Sequence, residues 1–193
     1  PLEQADPYWA SASDQPMKPT NPFQFKPTGA MGLPAAAQAQ LKFQQGLAQH
    51  QKGQLDEALR LYEQVIALQP KHFDALHLAG VITFQQGQAK RAIELMDRAL
   101  KVDRHNAKAF NNRGAAYAEL DDYEQAILNY TKSISLEPDH PNAYNNRGNA
   151  LIKLGRHAEA LQDFDKALLL NPAYFEAYNN KANALNELRR YEE

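Results

Sequence analysis

The sequence predicts an all-α solenoid of stacked antiparallel helix pairs. Three observations carry that prediction. Gly46, Gly80, Gly114 and Gly148 stand 34 residues apart, as do Ala58, Ala92, Ala126 and Ala160. A large side chain recurs on the same interval at Tyr62, Met96, Tyr130 and Phe164, and Pro70, Pro138 and Pro172 share it, with Arg104 where one proline is missing. Within each interval apolar residues recur three and four apart in two blocks, the spacing of two amphipathic helices. A period of this length means supersecondary units that bury their apolar faces on one another.

The elements follow in order. Residues 1–34 hold Pro1, Pro7, Pro16, Pro19, Pro22, Pro27 and Pro34 among Ser, Thr, Gln and Gly. Proline removes a donor and fixes φ, so this stretch is expected to be a disordered or extended tail. Tyr8-Trp9 and Phe23-Gln24-Phe25 are unusual in a spacer, and the second cluster is a candidate for docking on the repeats. Residues 35–193 form the solenoid, with units at 39–72, 73–106, 107–140 and 141–174 and a partial unit at 175–193.

The third unit shows the local logic. Ala109, Phe110, Gly114, Tyr117 and Leu120 make one stripe, and Tyr123, Ala126, Ile127, Tyr130 and Ile134 the next. Asp121-Asp122 between them is a turn and N-cap signal. Pro138 ends the second helix at or before Glu137. Gly114 and Ala126 hold no side chain between the paired helices, and Tyr130 fills the space beside them, so the axes can approach closely. The fifth unit supplies a first helix at about 175–188, whose stripe of Tyr178, Ala182, Leu185 and Leu188 lacks a partner. A solenoid needs its end covered. The expectation is that the chain continues, or that this face or the tail takes part in self-association. The start at Pro1 and the stop inside a unit read as a piece of a longer chain.

Composition excludes several function classes. The formal net charge of −2 leaves no electrostatic footprint for nucleic acid. No run approaches the length of a membrane span. Cysteine is absent, so there is no thiolate nucleophile or thiolate metal site. His50, His72, His77, His105, His140 and His157 include no i,i+4 pair, and no phosphate loop or nucleophile elbow occurs. The expectation is a non-enzyme with no catalytic residue, metal or cofactor. The compartment is open, with a soluble cytoplasmic chain preferred over a periplasmic one.

The period and the Gly…Tyr…Ala…Tyr…Pro order resemble the tetratricopeptide repeat, over about residues 39–193. That resemblance implies a right-handed superhelix whose concave face is lined by positions 2, 5, 6, 9, 12 and 13 of each first helix. In this sequence those positions form an amide array: Asn111-Asn112, Asn145-Asn146 and Asn179-Asn180, with Asn149 and Asn183 a turn further on. A carboxamide donates and accepts at once, which suits the backbone of an extended peptide of any sequence. It equally suits hydrogen bonds to a neighbouring helix. Phe43, Leu47, His77, Leu78, Val81 and Phe84 make the N-terminal half of the same face a candidate apolar groove.

Adaptors of this family that clamp a C-terminal carboxylate need Lys at position 5. Here that position holds His77, Asn111, Asn145 and Asn179, which argues against the class. The asparagines at position 6 (Asn112, Asn146, Asn180) are similar to the ladder in the repeat arm of O-linked N-acetylglucosamine transferases. The expected function is therefore a protein–protein interaction scaffold that binds an extended peptide in its groove. The alternatives are the substrate-recognition arm of a glycosyltransferase and a self-associating assembly scaffold.

Overall fold

A computed structural model describes the backbone of residues 33–192 and the side chains through Leu188. The Pro-rich stretch, with its aromatic clusters, lies outside the described residues. Among those residues there are nine helices and no strand: α1 (Ala35–Gln51), α2 (Leu55–Leu68), α3 (Phe73–Gln85), α4 (Ala89–Val102), α5 (Ala107–Ala118), α6 (Tyr123–Leu136), α7 (Pro141–Lys153), α8 (His157–Leu170) and α9 (Phe175–Glu192). Each helix packs on its neighbours in sequence, and the odd-numbered first helices also touch one another from α3 to α9. This is an all-α solenoid of helix pairs.

The turns repeat as regularly as the helices. Between the paired helices the chain passes through positive φ at Gly53 (72°), Gly87 (74°), Asp121 (59°) and Gly155 (70°). Each residue sits at the same unit position. The next residue's N–H closes the loop five residues back: Gln54 to Gln49, Gln88 to Thr83, Asp122 to Tyr117 and Arg156 to Leu151, all near 3 Å. That is the left-handed cap that satisfies the last carbonyls of a helix. Asp122 then caps α6 by accepting from the Gln125 N–H at 3.1 Å, as its position in the sequence implies.

Between units, α2, α6 and α8 stop two residues before Pro70, Pro138 and Pro172. α4 stops at the equivalent point although Arg104 replaces the proline. There the Asp103 side chain accepts from the His105 N–H at 2.9 Å and holds the turn. His72 and Asn106 cap the following helices by accepting from Ala75 and Ala109.

The recurring glycines are where the paired helices meet. A Cβ built on Gly148 would stand 2.6 Å from Phe164 Cε1, and one on Gly46 or Gly114 would stand 2.7 Å from Tyr62 or Tyr130. Tyr62, Met96, Tyr130 and Phe164 are all essentially buried, so the large residue of each second helix lies on the bare backbone of the first. A glycine inside a helix costs about 0.5–1 kcal/mol relative to alanine. Here it is the condition for close approach.

Position 7 of the later units carries Arg113, Arg147 and Lys181, long cationic side chains whose stems can pack while their charges reach outward; the charges pair with the neighbouring second helices. Arg147 on α7 donates through Nε and Nη2 to both carboxylate oxygens of Asp163 on α8, at 2.8 and 2.7 Å. Its Nη1 donates to Thr131 on α6 at 3.0 Å. Arg113 repeats the arrangement with Asn129 and Asp97, and Lys181 pairs with Asp165 at 2.6 Å. The stems do pack, with Arg113 and Arg147 lying over the rings of Phe110 and Tyr144. The Arg113 and Arg147 guanidinium groups, however, tie a first helix to the second helices on both sides.

The last helix also differs from expectation. α9 runs on through Glu192, past the predicted end near residue 188, with Arg189 and Arg190 inside it. In every other unit the position of Arg189 is taken by a residue in the left-handed region, glycine at three of the four. Arginine would pay about 1–2 kcal/mol to enter that region, which favours continuing the helix over turning.

Candidate functional site

The first helices bring the predicted amides together in rungs. The Asn146 Nδ2 on α7 donates to Asn111 Oδ1 on α5 at 3.3 Å. The Asn180 Nδ2 on α9 donates to Asn145 Oδ1 on α7 at 3.0 Å. The Asn112 Nδ2 on α5 meets His77 Nε2 on α3 at 3.1 Å. An amide nitrogen can only donate, so His77 accepts through Nε2 and is neutral. Burial, with a smaller contribution from the Lys108 charge, pushes His77 down to about 4 and keeps it neutral.

The structure therefore separates two kinds of asparagine that the sequence groups together. Asn111 and Asn145 are buried, at 1% and 0% exposure, and serve the helix-to-helix contact. Asn145 also donates to Glu176 at 3.4 Å, so both ends of its amide are occupied. Asn112, Asn146 and Asn180 are half-buried and straddle the surface. Each uses one N–H in its rung, and among the described residues nothing donates to their Oδ1 atoms. One donor and one acceptor of each thus have no partner among the described residues. Asn149 is half-buried a turn further along α7, while Asn179 and Asn183 are exposed on α9.

The apolar set is mostly packing. Phe43 is 8% exposed and sits against Tyr62 and His72, with ring centroids 5.8 and 4.7 Å away. Leu47 and Leu78 lie partly buried on the same core cluster, and Phe84 on the cluster around Ala116. His77 is stacked on Phe73 at 5.6 Å, and Val81 is half-buried. Among the described residues there is no group of three or more His, Asp or Glu placed to hold a metal ion. No described helix is long and apolar enough to cross a membrane.

A regular stack of helix pairs, each closed on a glycine, defines a class, and sequence comparison agrees with it. Family models described as tetratricopeptide repeat or TPR repeat match residues 49–113, 116–155 and 141–174. The chain belongs to the tetratricopeptide repeat family. Among solved structures it is similar to MamA (24% identity, TM-score 0.73, covering 79% of this chain and 83% of that one). It is also similar to pilF of Pseudomonas aeruginosa (25% identity, TM-score 0.71, 81% and 72%). The second TPR domain of human RPAP3, solved in complex with the HSP70 peptide SGPTIEEVD, shares 35% identity at a TM-score of 0.53, covering 54% of this chain and 88% of that domain. No curated protein sequence matches the chain significantly.

Proposed function

We propose that this chain is a non-catalytic interaction scaffold that holds an extended polypeptide along the concave face of its first helices. The observation that carries the reading is the line of half-buried amides at Asn112, Asn146 and Asn180, each oriented by a rung and each with an acceptor and a donor that no described residue takes up. A fixed amide loses little rotational freedom on binding, so more of its hydrogen-bond energy appears as affinity. First helices of adjacent units stand about 10 Å apart, and an extended chain advances about 3.3 Å per residue. One rung then serves every third residue or so of the ligand. Asn149, Asn179 and Asn183 add contacts at the edges, while Asn111 and Asn145 aim the others.

A related domain, that of RPAP3, is solved with a peptide, which supports the class of ligand. The lack of lysine at position 5 argues that the ligand is held by its backbone and not by a terminal carboxylate. The test is a peptide selected from a random display library on the wild-type chain, titrated against N112A/N146A/N180A. Three lost hydrogen bonds at about 0.5–1.5 kcal/mol each give roughly 1.5–4.5 kcal/mol weaker binding. Equal affinity in the triple variant, still folded, removes the ladder from the account.

A further inference from the structure

One turn beyond the Asn111–Asn146 rung the first-helix face opens into a cavity of about 290 Å³ between α5 and α7, floored by α6. Its walls are Ala115 and Ala118 of α5, Tyr123 and Tyr130 of α6, and Asn149 and Ala150 of α7. The grid of repeats explains why the hole is here. Position 12 carries Phe84 in the second unit and Ile152 in the fourth. Phe84 packs on the cluster holding Ala116, and Ile152 on the cluster holding Ala184, which are the alanines at position 10 of the units that follow. In the third unit position 12 is Ala118, and the alanine opposite is Ala150, in the cluster with Ala126 and Tyr130. Position 9 is also cut back there, with Ala115 where the first two units have Leu47 and Val81. A large apolar side chain stands at position 12 in the units on both sides; in the third unit position 12 supplies none, and Tyr123 of α6 covers the Ala150 cluster instead while leaving the cavity beside it.

We propose that this cavity is the specificity pocket of the groove and takes an aromatic side chain of the bound peptide, in the place of the ring that Phe84 provides one unit earlier. Tyrosine rings and alanine methyls offer it apolar walls. Asn149 stands by for a polar tip. The rim carries Glu119 and Lys153, opposite charges with no net sign, so shape selects the occupant. The pocket rests on the groove reading, because the Asn146 rung holds the backbone beside it.

The probe is N-acetylphenylalaninamide, with N-acetylalaninamide as control, titrated into the full 193-residue chain and followed by amide NMR shifts. The expected result is saturable shifts at Ala115, Ala118 and Ala150 with the phenylalanine compound and none with the alanine one. Ala118→Phe fills the cavity from within as Phe84 does, and should weaken the response about tenfold or more. Ala118→Ile, copying Ile152, gives the same reading should the larger residue disturb folding. Shifts absent in the wild type, or unchanged in the filled variants, overturn the pocket. The two ideas separate cleanly: a failed ladder leaves this titration intact, and a failed pocket leaves the effect of the asparagine triple variant intact.

Discussion

Gly148→Ala is the sharpest perturbation of the fold, because two opposing effects can be weighed from the structure. Alanine in a helix gains about 0.5–1 kcal/mol over glycine. Against that, its Cβ would stand 2.6, 2.9 and 3.0 Å from three ring carbons of Phe164. Carbon contacts are comfortable at about 3.5–4.0 Å, so the ring or the helix must move by about 1 Å. Phe164 is fully buried and its ring is rigid, so the movement passes into the packing of α7 on α8. Overpacking of this kind costs about 1–3 kcal/mol, which leaves the variant less stable by up to about 2.5 kcal/mol. Gly80→Ala is the internal control. It gains the same propensity but meets the Met96 methyl at 2.8 Å, the far end of a side chain with three rotatable bonds. It should stay within about 0.5 kcal/mol of the wild type. Urea unfolding followed by circular dichroism reads both. Phe164→Leu should restore much of what Gly148→Ala loses, as a coupling in the double-mutant cycle. Equal stability of Gly148→Ala and Gly80→Ala would refute the close-approach argument. In the fifth unit the same position is already Ala182, which is exposed among the described residues.

Other outcomes follow from the same structure. Arg147→Ala strands a carboxylate that is 8% exposed at Asp163, and should cost about 1–3 kcal/mol; Arg156→Ala, whose pair with Glu159 is solvent-exposed, should leave the urea midpoint unmoved. His77 titrates at about 4 when folded against an ordinary value of 6.5. Its contribution is therefore complete above pH 6.5 and is lost as pH falls towards 4. His77→Asn, which copies the rung residue of later units, should remove about 1–3 kcal/mol of the stability difference between neutral and acid solution. Asp121→Gly should stabilise the chain by up to about 1 kcal/mol, since Asp121 is the one described non-glycine residue at positive φ.

Most of the fold is visible in the sequence because one interval controls several kinds of residue at once. Gly148 and Phe164 share a register with three other pairs, so their contact could be inferred without coordinates. Pro138 and Asp122 mark helix ends by local chemistry alone. The turn at Gly53, Gly87 and Gly155 was equally legible, on the same interval, and would have identified Arg189 as a place where the chain does not turn. The candidate site was less legible. That Asn146 reaches Asn111, and Asn180 reaches Asn145, depends on a contact 35 residues away, one more than the repeat, and periodicity alone does not say which face a neighbouring helix covers. The pairing of Arg147 with Asp163 and Thr131 depends likewise on how units stack. The cavity at Ala118 follows from a side chain that is missing where its counterparts are large, which becomes visible once Phe84 and Ile152 are seen packed on the next alanine.

The groove reading turns on whether the ligand's own backbone is what the amides grip. Replacing asparagines also breaks rungs, whereas methylating the peptide leaves the protein untouched. The most direct measurement is thus an N-methyl scan of a selected peptide, one amide at a time, with affinity read by calorimetry. The account predicts losses at a few peptide bonds about three residues apart, each vanishing in the variant that lacks the matching asparagine. Affinity indifferent to methylation along the whole peptide would contradict it.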